Sequence, residues 1–114
     1  MKKRINAVRQ FHTAFGLGMK EEPTADLGLA KNTLRFNLMK EENEEYLEAA
    51  NNNDLVEVAD ALGDMLYILC GTIIEHGMQH KIEEVFDSTA SAKIIERELP
   101  KCIKMKVGDL LYLK

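Results

Sequence analysis

The sequence predicts an all-α fold of the four-helix-bundle type, and three observations predict it. Apolar residues recur at helical intervals through most of the chain. Aromatic residues make up only 6% with no Trp, while Leu, Ala, Met, Glu and Lys abound, a composition suited to helix packing rather than a sheet sandwich. Gly, Pro and Asn-rich turns then fall where periodic segments end. At 114 residues the chain fits one domain, residues 1–114, with a real core yet small enough for partner subunits to complete a site.

The first helix is expected over "KRINAVRQFHTAF", where Ile5, Val8, Phe11, His12 and Phe15 form one stripe that Gly16 and Gly18 end. His12 reads as packing there. "GLGMKEEPTADLGL" has no periodicity and is expected as a loop long enough to flank a pocket, with Thr24 as a cap for the next helix. The second helix, from about Ala25 to Ala50, is expected to be the longest. "NNND" follows as a turn in which Asn takes the left-handed conformation and Asp54 caps the third helix. That helix, Leu55 to about His76, is apolar around much of its circumference and is expected inside, with Gly77 as its stop. A fourth helix is expected from about Lys81 to Leu99 before Pro100. The alternating tail "KCIKMKVGDLLYLK" predicts a short hairpin or extended arm.

A formal charge of -4 with scattered basic residues leaves no electrostatic footprint for duplex nucleic acid. Cys70 and Cys102 stand far apart, and Cys70 lies in an apolar run as a small packing residue, so no disulfide framework is indicated. The basic N-terminus lacks the unbroken apolar segment of a secretory signal, and no run approaches the ~20 apolar residues that span a bilayer. A cytoplasmic protein without membrane or nucleic-acid partners is expected.

Acidic residues interrupt this picture. Glu41, Glu42 and Glu45 project from neighbouring points of the second helix, and Glu57, Asp60 and Asp64 share one face of the third. The short NNND turn makes the two helices antiparallel neighbours, so four or five carboxylates would converge. Crowded, partly desolvated carboxylates repel and cost several kcal/mol each unless a proton or cation neutralises them. A solvated charge face accounts for Glu44 and Glu48 but poorly for Glu57 and Asp60, which break the otherwise apolar "LVEVADALGDMLYILC". Oxygen ligands without Cys or His suit Mg²⁺ or Mn²⁺, and Mg²⁺ commonly joins carboxylates to substrate phosphates.

"EENEE" followed by "EVAD" resembles the EExxE and ExxD signature of the all-α nucleoside triphosphate pyrophosphohydrolases, the MazG-like group. With "VRQFHTAFG", "PTADLGLAKNTLRFNLMKEENEEYLEA" and "VEVADALGDMLYILCGTIIEHGM", the chain from about Val8 to Asp87 most resembles the phosphoribosyl-ATP pyrophosphohydrolase-like branch. The resemblance implies Mg²⁺ ligands at Glu42, Glu45, Glu57 and Asp60, with Glu41 and Asp64 near them. It also implies hydrolysis of a nucleoside triphosphate or related nucleotide to a monophosphate and pyrophosphate by metal-activated water. Glu41 or Glu42 would take the water's proton, Asp64 would lie on the substrate side, and a homodimer or homotetramer would complete the site. A catalytically silent nucleotide-binding, metal-binding or regulatory module of the same fold stays open beside the enzyme.

After "VFD" the chain departs from the family, which has a polar Ser-Asn-Met-Ser-Lys segment where this sequence continues "STASAKIIEREL". Lys93, with Ser91 beside it, is the nearest basic substitute for a phosphate contact. Arg35, about two turns before the glutamates, divides evenly between a phosphate contact and a surface salt bridge. His76 and His80 are interrupted by Gly77 and lack a third ligand, which gives zinc little support.

Overall fold

The computed structural model describes residues 2–95, with side chains through residue 88. Four helices follow in order: α1 Lys2–Ala14, α2 Leu29–Asn51, α3 Leu55–Glu75 and α4 Ile82–Ile95, with no strand among the described residues. The tail from 101 to 114, Cys102 and the expected end of α4 at Leu99 lie outside them, as does the side chain of Lys93.

The antiparallel α2–α3 pair is the frame. Asn53 takes the left-handed conformation at φ 54°, and the Asp54 side chain accepts a hydrogen bond from the Glu57 backbone N–H, capping α3 as its sequence position predicts. Buried Ala49 and Ala61 keep the facing surfaces small near this turn and let the two backbones approach. The core lies at the other end of α3, where Cys70, Ile73 and Ile74 pack on Ile5 and Val8 of α1, with Met19, Met78 and Ile82 against them. Ile74 is fully buried, worth about 1.5–3 kcal/mol of apolar transfer.

The connection between α1 and α2 is strapped to the end of α3. Lys20 N–H donates to Ile74 O at 3.2 Å, Thr24 N–H donates to His76 O at 2.8 Å, and the His76 ring donates from Nδ1 to Thr24 O at 2.7 Å. Gln79 Nε2 donates to Lys20 O, and buried Glu75 pairs with Lys31 at 3.3 Å. Gly77 is required in this strap: its φ is +69°, and a Cβ there would collide with the Glu22 carbonyl.

Four sequence expectations change. The second helix begins at Leu29 rather than Ala25, because Asp26 and Asn32 organise the approach: Asp26 accepts from Gly28 N–H and Asn32 Nδ2, and Asn32 accepts from Leu27 N–H. Thr24 caps nothing; its hydroxyl donates to Glu22 O. The buried stripe of α1 is Ile5, Val8 and His12, while Phe11 and Phe15 are exposed and stack on each other at 4.5 Å. Finally, α3 is interior only in its second half. Leu55 is 80% exposed and Leu62, Leu66 and Leu69 are exposed along the same seven-residue pattern, because α1 covers α3 only toward its C-terminal end.

Candidate metal centre

Glu42 and Asp64 are equidistant in sequence from Asn53, so an antiparallel pair closed by that turn sets them opposite each other. Glu45, one turn along α2, joins them. One carboxylate oxygen from each of Glu42, Glu45 and Asp64 lies within 4.8 Å of the others. Glu45 and Asp64 are exposed, but Oε2 of Glu42 is buried without a hydrogen-bond partner. Burial pushes the Glu42 carboxyl above the ordinary glutamate range, and the negative charges of Glu45, Asp64 and Asp60 push it further.

The group passes directly into a cleft of about 320 Å³ toward the NNND turn, walled by Glu45 and Glu48 from α2 and by Glu57 and Asp60 from α3. The carboxylates named from sequence therefore form a row along the helix pair rather than a single knot. Asp64 belongs to the tight group of three, and Glu57 and Asp60 continue the row beyond Glu45. Glu41 is exposed and is in neither the group nor the cleft walls.

A second cleft, about 390 Å³, opens on the opposite side of the group and shares Glu42 and Asp64 with it. Arg35 lies in this cleft. Its Nε donates to Thr72 Oγ1 at 3.0 Å and its Nη2 to Ile68 O at 2.9 Å, so it ties α2 to α3 instead of making a surface salt bridge. Burial lowers its pKa while Glu75 opposes the shift, and the high starting value of arginine leaves it a cation at neutral pH. His12 and Tyr67 line the same cleft, with Gly71. Sequence periodicity alone assigned His12 to packing and passed over Gly71; the signal available was a glycine within the apolar second half of α3.

The donor set suits a hard divalent cation. Three carboxylates within reach of one point, one with an unpartnered buried oxygen and a raised pKa, are the arrangement that a cation neutralises. His76, by contrast, is committed to Thr24, and His80 Nε2 stands 3.7 Å from a Glu21 oxygen.

Comparison with known proteins agrees with this helix pair. The profile of the phosphoribosyl-ATP pyrophosphohydrolases matches residues 8–93, which include α2 and α3 entire. The chain belongs to the phosphoribosyl-ATP pyrophosphohydrolase family. The resemblance inferred from the two acidic tetrads is thereby shown, together with an all-helical architecture of the pyrophosphohydrolase kind. An uncharacterized protein of Acanthamoeba polyphaga mimivirus is 50% identical over 38 residues, covering 33% of this chain and 15% of that protein. No described helix is long and apolar enough to cross a membrane.

Proposed function

We propose that this family member hydrolyses a nucleoside triphosphate or related nucleotide to the monophosphate and pyrophosphate, dependent on Mg²⁺ or Mn²⁺. The observation that carries this is the buried, unpartnered Oε2 of Glu42 within the group it forms with Glu45 and Asp64. Those three residues would hold a cation, and Glu57 and Asp60 extend the ligand row for a second ion or a longer phosphate chain. When bound, the cation supplies charge neutralisation on phosphate oxygens and an acidified water.

The side chains of the protein do the remaining work. Glu41 or Glu42 would accept the proton of the attacking water through a carboxylate oxygen that the cation leaves free. Lys93 is the cation assigned to phosphate, and Arg35 is assigned to the substrate. Arg35 borders the group through the shared cleft and is already pinned, so it would contact the substrate with little loss of side-chain freedom. The protein would work in the cytoplasm as a homodimer or homotetramer. In support, the exposed leucines of α3 offer an apolar stripe.

The test is a panel of nucleoside triphosphates and phosphoribosyl-ATP with Mg²⁺, scored for monophosphate and pyrophosphate. Pyrophosphate release from at least one member, lost in Glu45→Gln, is the expected result. Silence across the panel with intact Mg²⁺ binding would replace the enzyme by a binding or regulatory module.

A further inference from the structure

The second cleft carries polar chemistry that the acidic group does not use. His12 is only 3% exposed, yet it lines this cleft. Its Nδ1 stands 3.1 Å from the Gly18 carbonyl, an acceptor, so Nδ1 carries the hydrogen. In the neutral ring Nε2 is then a lone-pair acceptor, and it has no partner among the described residues.

Arg35 faces it across Gly71. A Cβ on residue 71 would stand 2.8 Å from Arg35 Nη2 and 3.3 Å from His12 Nε2. Both nitrogens therefore reach the same small patch of floor because residue 71 has no side chain. Acceptor and donor lie side by side at one end. Tyr67, Leu38 and Leu17 supply aromatic and apolar wall, and Glu42 and Asp64 form the rim shared with the carboxylate group. A volume of about 390 Å³ falls within the range of small-ligand sites.

We propose that this cleft receives the nucleobase end of the substrate, with His12 Nε2 accepting from a base N–H, Arg35 donating to a neighbouring base acceptor, and Gly71 keeping the floor open. The assignment rests on the phosphate end lying at the carboxylate group. A nucleobase fits because its polar edge sets N–H donors beside lone-pair acceptors and its faces stack on aromatic rings. Inorganic polyphosphate has neither feature. Gly71 is thus a positioning residue for His12 and Arg35, while Tyr67 contacts the base itself.

Titration calorimetry of the full chain with Mg²⁺ tests this, using α,β-methylene triphosphates of the four common bases against inorganic triphosphate. The parent should bind at least one nucleotide analogue roughly tenfold or more tightly than inorganic triphosphate, the value of about one good base contact. Gly71→Ala should abolish most of that advantage while inorganic triphosphate affinity stays within about twofold. Tyr67→Ala, at an exposed position, should do the same, and thermal unfolding checks that both variants are folded. Equal loss of nucleotide and inorganic triphosphate would overturn the assignment. So would a parent that binds Mg²⁺ and inorganic triphosphate but gives nucleotides no advantage, and there the carboxylate site would stand. A parent binding neither polyphosphate nor nucleotide would overturn both.

Discussion

Glu42 keeps one carboxylate oxygen out of water beside two other acids, which is costly when every group is ionised. Its folded pKa is raised, so the folded state holds a proton that the unfolded chain has already released between the two values. Stability therefore falls as pH rises from the ordinary glutamate value, ~4.3, through the raised value. Without divalent cation, Glu42→Gln should melt higher than the parent at neutral pH, and the difference should shrink as pH drops below the ordinary glutamate range. The same variant should bind Mg²⁺ at least about tenfold more weakly. Melting curves across pH and a calorimetric titration measure both. A variant no more stable at pH 7, binding the cation like the parent, would return Glu42 to the surface charge face.

At the scale of elements, the turn between α2 and α3 sets the register that brings the acids together. Asp54 is the residue that starts α3, and its cap bond to Glu57 N–H lies beside the carboxylate row. Asp54→Ala should cost about 1 kcal/mol by denaturant unfolding. Because Glu57 sits in the first turn that this cap orders, the variant should also weaken divalent binding modestly. No change in unfolding midpoint would mean that tertiary packing, not the cap, defines the start of α3. The turn, the cap and the acidic faces were legible in sequence, since short-range chemistry determines each of them. The approach to α2 was not: Asp26 and Asn32 bond to each other across six positions and displace Thr24 from the role its residue type suggests.

At the scale of the molecule, α3 keeps a row of leucines in water while its second half is buried. Exposed apolar patches of this kind mark association surfaces. A homodimer or dimer of dimers is the expected solution state by light scattering at micromolar concentration. Leu62→Glu with Leu66→Glu should weaken the assembly by roughly a hundredfold or more, each buried leucine contributing about 1.5–3 kcal/mol. A parent that is monomeric at these concentrations would leave the stripe to some other cover.

The helical architecture, the antiparallel central pair, the left-handed Asn53 turn and the identity of the acidic residues follow from the sequence by itself. They depend on periodicity, capping and spacing within one or two elements, and such short-range rules act before distant segments meet. Only the tertiary structure decided that Asp64 joins Glu42 and Glu45 in the tight group while Glu57 and Asp60 extend the row toward the turn. That outcome depends on how closely α2 and α3 approach at Ala49 and Ala61. Likewise, Arg35 stood evenly between a phosphate contact and a surface salt bridge until its partners Thr72 and Ile68 were known, and His12, buried as its periodicity predicts, borders a cleft only because Gly71 leaves it room. Those three residues come from α1, α2 and α3, and no pattern along any one helix records what the others place against it.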